Sequence, residues 1–203
     1  MSLLEPQTVA LKDGSSVTLR SPTADDAPVL LDYLDVVRRE SQGILFSPED
    51  ELPTLEWERD WIQQRNDDPR QLNAGAWCGD ELLGLANVRG GGMFRRSQHR
   101  ADIGISLRRD WWGRGLGRVL MNAMIGFAER DETIHVMQLC VYSFNHRAIA
   151  LYERCGFEHE GARRHSVRFA DGSYADELQM SRWVGPGEPP PARTADPLLE
   201  NSA

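Results

Sequence analysis

Three glycines at alternate positions make up the segment of this chain best suited to hold a ligand. Gly113, Gly115 and Gly117 lie in the stretch 111–117, Trp-Trp-Gly-Arg-Gly-Leu-Gly. Because glycine has no Cβ, its backbone can approach a ligand closely. Apolar residues then recur at helical spacing, namely Leu116, Val119, Leu120, Ala123, Met124 and Phe127. A helix beginning in the loop would direct unpaired N–H groups at a bound phosphate, so the segment predicts an anion-binding loop.

Two common phosphate-binding loops do not fit this stretch. A dinucleotide fold requires G-x-G-x-x-G, but Leu120 occupies the last glycine position, and no Gly-Lys pair of a P-loop occurs. The alternative is that no ligand binds here and the segment is a glycine-rich turn before a core helix. The local charge favours an anion, because positive side chains gather here in a chain whose net charge is −8. They are Arg108, Arg109, Arg114 and Arg118.

A second motif begins at Asn145 and reads Asn-His-Arg-Ala-Ile-Ala-Leu-Tyr-Glu-Arg-Cys-Gly-Phe over 145–157. The nearly continuous apolar run 136–141 precedes it, as in a strand that is buried on both faces. Asn145 suits the N-cap of a helix and Gly156 suits the position after its end. Capping and core packing therefore account for this motif without a ligand.

Taken in order, the two motifs resemble those of the GNAT N-acetyltransferases. Residues 112–117 are similar to the family's acetyl-CoA signature, Q/R-x-x-G-x-G/A, with Trp112 in the Gln/Arg position. Residues 145–157 are similar to its element N-x-x-A-x-x-x-Y-x-x-x-G-F. The resemblance extends over residues 17–184. It implies an α/β fold with helices flanking a mixed central sheet, in which two parallel strands splay apart around acetyl-CoA.

The resemblance also implies which residues meet acetyl-CoA. Ile105 and Leu107 would pair their backbone with the pantetheine amides, and Asn145 and Ala148 would line the pantetheine arm. The full set of expected acetyl-CoA contacts is Ile105, Leu107, Trp112, Gly113, Arg114, Gly115, Leu116, Gly117, Arg118, Asn145, Ala148 and Tyr152.

The chemistry implied is direct acyl transfer from a thioester to an amine. An alkyl amine titrates near pH 10 and a thiol near 8.5, so one proton must leave the amine and another must reach the sulfur. Tyr152 is expected to be the general acid, since a phenol with a pKa of about 10 keeps its proton at neutral pH. Asp102 is the candidate base, and a strand-end residue facing solvent is the other interpretation. The three cysteines, Cys78, Cys140 and Cys155, stand in apolar segments and predict reduced core thiols.

Composition predicts one enzyme-sized domain over residues 1–184, followed by a Pro-rich tail over 185–203 that is extended or disordered. The net charge of −8 argues against nucleic-acid partners. No apolar run reaches the length of a membrane span, and no signal-peptide layout opens the chain, so a cytoplasmic location is expected. The histidines and cysteines lack ligand spacing, which argues against a bound metal.

The acceptor amine is less well determined. Two segments, from Arg95 and from Gly161, resemble a bacterial branch that acetylates free L-amino acids and small amines. A carboxylate on such a substrate would need a cation, for which Arg89, Arg95 and Arg96 are candidates. Neighbouring branches acetylate ribosomal-protein N-termini, polyamines or antibiotics, and a non-catalytic acyl-CoA-binding module stays open. A homodimer is also possible, because the pair of tryptophans in 57–61 and the C-terminal hairpin offer apolar surface.

Overall fold

The computed structural model describes residues 3–191 as one eight-stranded sheet with helices on both faces. The strands in chain order are β1 Gln7–Ala10, β2 Ser16–Arg20, β3 Gln71–Cys78, β4 Glu81–Gly90, β5 Arg100–Leu107, β6 Val136–Tyr142, β7 Glu158–Arg168 and β8 Tyr174–Trp183. The helices are α1 Ala27–Glu40, α2 Leu55–Asp67, α3 Leu116–Ala128 and α4 His146–Arg154. The spatial order of the strands is β1-β2-β3-β4-β5-β6-β8-β7.

The pairing of β5 with β6 is parallel, and every other pair of neighbouring strands is antiparallel. The parallel ladder begins at Arg100 opposite Val136 and ends at Asp102 opposite Gln138. Beyond that point β5 continues beside β4 as far as Leu107, while β6 continues beside β8. The two central strands therefore separate toward their carboxyl ends, which confirms the predicted splay.

Two apolar clusters hold the helices to the two faces of the sheet. On one face α1 and α2 pack over β3 and β4 through Leu30, Tyr33, Ile62, Trp77 and Leu85. On the other face α3 supplies the fully buried Leu116, Leu120, Met121 and Met124, and α4 adds Tyr152. Burial of each large apolar side chain stabilises the fold by about 1.5–3 kcal/mol. These clusters fix the helices that follow β5 and β6.

Antiparallel hairpins join β1 to β2, β3 to β4 and β7 to β8. A short turn precedes the first helix. Residues Ala24–Asp26 form a 3-10 turn in which Thr23 and Asp26 cap each other, and α1 begins at Ala27 with a proline in its first turn. Proline suits this position because an N–H in the first turn of a helix has no acceptor within the helix, so no hydrogen bond is lost.

The prediction that all three cysteines lie in the core is wrong. Cys155 is buried, but Cys78 and Cys140 are exposed at strand positions. Both lie on the other side of the strand from apolar neighbours, and alternation along a strand sends successive side chains to opposite faces. Apolar neighbours in the sequence therefore do not imply that a strand residue is itself buried.

Residues 192–203 of the predicted tail lie outside the described residues, so the boundary at 184 stays a prediction. Residues 184–191 form turns without helix or strand, and the Trp183 indole donates to the Gly187 carbonyl at 2.9 Å. Between residues 3 and 191 no helix is long and apolar enough to cross a membrane. In the same range no three His, Cys, Asp or Glu side chains are grouped as a metal site would require.

Candidate active site

The glycine loop places a row of free amides at the start of α3. Gly113 and Gly115 have φ angles of +80° and +95°, and Gly115 is the N-cap of the helix. Glycine adopts this left-handed conformation at little energetic cost, which explains why glycine occupies both positions. Within residues 3–191 the N–H groups of 113–117 donate to no other group of the protein. Five consecutive unpaired amides at a positive helix end suit a pyrophosphate.

The outer edge of β5 presents backbone groups to the opening. The Arg108 amide donates to the Leu83 carbonyl of β4 at 3.0 Å, so alternate residues along β5 face β4. By the same alternation Ile105 and Leu107 direct their N–H and C=O groups away from β4, toward the gap before β6. The Leu107 carbonyl is already taken, because the Trp112 indole donates to it at 3.1 Å. This contact fastens the glycine loop to the strand and gives Trp112 a structural role.

Three of the four arginines near the loop have partners within the protein. Arg108 forms a close ion pair with Glu81. Arg114 lies 3.7 Å from the Asp13 carboxylate, and Arg118 donates to the Arg154 carbonyl at the end of α4 at 2.6 Å. These guanidinium groups are therefore engaged within the protein. The backbone amides of the loop are better placed than the arginine side chains to bind an anion.

The second motif lies at the same edge of the sheet as the glycine loop, since both follow the carboxyl ends of the parallel strands. Asn145 caps α4 by accepting a hydrogen bond from the Ala148 amide at 3.2 Å. The Arg147 guanidinium stacks 4.7 Å from the centre of the Trp112 ring, and a Cβ on Gly117 would lie 3.0 Å from Leu151. The structure thus brings together the two motifs that are 28 residues apart, from Gly117 to Asn145.

Tyr152 is enclosed between α4 and the sheet, with 7% of its surface exposed. Its ring packs against Phe157 with 6.1 Å between centroids. Among the described residues its hydroxyl has no hydrogen-bond partner. Burial, with a smaller contribution from Cys155, raises the pKa of Tyr152 to about 12. The phenol therefore keeps its proton at neutral pH.

Asp102 occupies the last register position at which β5 and β6 are paired. Its Oδ2 accepts from Arg89 at 2.9 Å and its Oδ1 accepts from Gln138 at 2.6 Å. Half of its side chain is exposed. Asp102 is therefore neither buried nor a loose strand-end residue, but a carboxylate that two neighbours orient at the point where the strands separate.

Some candidate residues lie apart from this arrangement, and two residues of the site carry no local sequence signal. Arg95 and Arg96 belong to a short turn before β5, at the opposite end of that strand from the glycine loop. Gln138 holds Asp102 only through strand register, and the contact of Arg147 with Trp112 requires the folded loop. No spacing pattern indicates either of these two residues.

Comparison with known proteins agrees with this geometry. The model of the acetyltransferase (GNAT) family matches residues 35–157. The chain belongs to the GNAT family. Since this range contains the glycine loop, both splayed strands and the Tyr152 helix, the GNAT match covers the whole site. The protein is an acetyltransferase of GNAT type.

Relatives of this GNAT enzyme differ in their acceptors. It is 34% identical to the L-amino acid N-acetyltransferase AaaT of Escherichia coli over 123 residues, which are 60% of this chain and 74% of that protein. It is 30% identical to the N-alpha-acetyltransferase RimI of Mycobacterium tuberculosis over 80% of this chain and 98% of that protein. The structure of YncA from Salmonella typhimurium, solved with its cofactor acetyl-CoA, shares the fold with a TM-score of 0.73. That pair is 19% identical and covers 87% of this chain and 99% of the other.

Proposed function

We propose that this enzyme moves the acetyl group of acetyl-CoA directly to the primary amine of a small molecule, an amino acid or a related amine. The observation that carries the proposal is the end of the β5–β6 ladder at Asp102 and Gln138. The gap beyond it has free strand amides on one side, free loop amides at its edge and a protonated phenol beside it.

Acetyl-CoA would lie in this gap. The amides of 113–117 would hold the pyrophosphate, and the free N–H of Leu107 with both backbone groups of Ile105 would pair with the pantetheine amides. Asn145, whose side-chain oxygen caps α4, would line the same arm. Gly113, Arg114, Gly115, Leu116, Gly117 and Arg118 contribute through backbone, since the Leu116 side chain is fully buried and Arg118 is bonded to α4.

The transfer needs two proton movements, and one residue is available for each. Asp102 accepts a proton from the substrate ammonium, which frees the nitrogen lone pair to attack the thioester carbonyl carbon. As the carbon–sulfur bond breaks, Tyr152 donates its phenolic proton to the departing sulfur, and the second proton that the nitrogen loses on becoming an amide passes through solvent to the phenolate. The products are an N-acetyl amide and a free thiol. Positioned groups of this kind contribute about 10²–10⁴ each to a rate.

The loop between α1 and α2, which reaches the start of α4, favours a small acceptor. The buried Arg38 donates to the Ser47 carbonyl at 3.4 Å and to the Asp50 carbonyl at 2.5 Å, which holds the loop in place. A Cβ on Gly43 would stand 2.6 Å from the Asn145 amide nitrogen, so the loop reaches the start of α4. A held loop leaves less room for a protein chain than for a single amine.

An acceptor screen tests the proposal. Purified protein is incubated with acetyl-CoA and, separately, free L-amino acids, polyamines and short peptides with free N-termini, and the release of thiol is measured. Turnover with an amino acid or small amine supports the proposal. Turnover with peptides alone would favour an N-alpha-acetyltransferase, as the likeness to RimI suggests. Tight acetyl-CoA binding without thiol release for any amine would identify a non-catalytic binding module.

A further inference from the structure

Three aromatic rings form a cluster at the carboxyl end of β6. Tyr142, the last residue of that strand, packs against Phe144 with 5.6 Å between ring centroids and against Phe169 with 6.2 Å. The rings of Phe144 and Phe169 are 5.9 Å apart, so each ring packs against the other two. Tyr142 is 5% exposed, whereas 43% of Phe144 is exposed and Phe169 is half-buried. Tyr142 therefore supports an open aromatic surface that Phe144 and Phe169 present.

The alternation of side chains along β6 puts this cluster on the same face of the sheet as Asp102. Gln138 is bonded to Asp102 on that face, whereas Leu139 points into the apolar core on the other face. Cys140 and Tyr142 follow Gln138 at alternate positions and therefore share its face. Since Cys140 is exposed, the face is open between the Asp102 carboxylate and the aromatic cluster.

The cluster also borders the gap between β5 and β6. The strand β6 loses β5 as its neighbour after Gln138 and continues to Tyr142 as one side of the gap. Phe144 directly precedes Asn145, which caps α4. Four residues, about 13 Å of strand, separate Gln138 from Tyr142. The carboxylate that Gln138 holds and the aromatic rings therefore lie at the two ends of the same side of the gap.

A carboxylate beside the rings is already paired within the protein. Glu177 stands opposite Tyr142 on β8, and it accepts hydrogen bonds from Arg163 at 3.1 Å and from Ser166 at 3.2 Å. Its side chain is 18% exposed. A paired carboxylate attracts a further ammonium group only weakly, whereas exposed ring faces are stabilised by contact with an apolar group. The surroundings of the rings therefore favour an apolar ligand over a second cation.

We propose that Phe144 and Phe169 bind an aromatic or other large apolar group carried by the acceptor amine. This subsite rests on the proposed function and narrows its substrate class to amines with an apolar group. The amine lies at Asp102, and the apolar group extends along β6 past Cys140 to the open ring faces. An acceptor without such a group, or a polyamine, covers no ring surface and gains nothing from this contact.

The test compares acceptors in pairs that differ by one phenyl ring, namely L-phenylalanine with L-alanine and 2-phenylethylamine with ethylamine. We expect the native enzyme to favour the phenyl member of each pair by roughly 10- to 100-fold in kcat/KM, as for an apolar group in an apolar subsite. This comparison requires no variant, so it tests the subsite on the protein as it is.

Variants then locate the preference. Phe144→Ala removes the most exposed ring, and it should lower the phenyl preference about tenfold while leaving the KM for acetyl-CoA unchanged. Phe144→Leu keeps an apolar side chain and should keep most of the preference. The control is Tyr174→Ala, since Tyr174 is 56% exposed in the same hairpin as Phe169 but packs against His165. This control should keep the full preference.

The outcomes separate the two proposals. If the native enzyme acetylates both members of each pair equally well, or if Phe144→Ala slows both members equally, the apolar subsite is refuted while small-amine acetylation stands. If none of the four amines is acetylated, the proposed function fails and the subsite fails with it. The ratio within a pair does not depend on the amount of folded enzyme, so partial unfolding of Phe144→Ala does not imitate the expected result.

Discussion

The replacement Tyr152→Phe tests the proposed general acid most directly. It removes one hydroxyl that has no partner among the described residues and keeps the ring against Phe157. The stability should therefore change by less than about 1 kcal/mol. If that hydroxyl protonates the departing sulfur, kcat should fall by about 10²–10⁴, equivalent to about 2.7–5.4 kcal/mol of transition-state stabilisation.

The assay measures thiol release at saturating acetyl-CoA, with calorimetry for acetyl-CoA affinity and urea unfolding for stability. The matched control is Tyr142→Phe, a second buried tyrosine whose ring packs against Phe144 and Phe169. Full activity in Tyr152→Phe would refute the assignment. So would a loss of rate that only follows a loss of folded protein. A large loss in Tyr142→Phe alone would show that the family motif selects the wrong phenol.

The raised pKa of Tyr152 sets the sign of the pH dependence. Because the pKa is about 12 in the fold and about 10 in the unfolded chain, the protonated phenol is favoured by folding. Its contribution to stability is complete below about pH 10 and is lost as the pH rises toward 12. Tyr152 should therefore cause no fall in rate below about pH 10, and Tyr152→Phe should reduce the alkaline loss of stability, to which the buried Tyr33, whose pKa is also raised by burial, still contributes.

Three further predictions concern the loop, the base and the assembly. Gly115→Ala should destabilise the fold by about 1–3 kcal/mol and weaken acetyl-CoA binding, because φ is +95° and Lys12 lies 3.2 Å from the new Cβ. Gly113→Ala, with φ of +80° and no atom within 4 Å, measures the strain alone in the same urea and calorimetry experiments. Asp102→Asn should lower kcat/KM by about 10²–10⁴ with unchanged KM for acetyl-CoA, and normal steady-state activity would disprove a base there. Light scattering should show a dimer, since the edge strand β7 is exposed along almost its whole length, and a monomer at micromolar concentration would contradict this.

The fold and the cofactor loop could be predicted because local patterns determine them. Glycine spacing at 113–117 predicts a backbone that a ligand can approach closely, and the apolar stripe from Leu116 predicts α3, so adjacent residues alone locate the junction of loop and helix. The hairpins follow from Gly-containing turns in the same way. The motif at Asn145 and Tyr152 adds a helix whose N-cap and buried apolar face can both be predicted from the sequence.

The acceptor side could not be predicted, because register and packing across distant segments create it. Asp102 is oriented by Arg89 and Gln138, which are 13 and 36 residues away in sequence. Apolar neighbours were a poor guide to the burial of the cysteines, because Cys78 and Cys140 are exposed. Buried and exposed positions alternate along a strand, so a residue between two buried ones can face solvent.

The early end of the β5–β6 ladder makes the stability of this protein depend on its own substrate. From Gly104 to Leu107 the strand β5 is paired with β4 only, and its free edge lies inside the sheet rather than at its rim. A molecule that fills the gap and pairs with those amides acts as the missing neighbour strand. Its binding adds to the unfolding free energy by about 2.7 kcal/mol at a hundredfold excess over Kd. Amide exchange along β5 should therefore slow when acetyl-CoA is added to the purified protein.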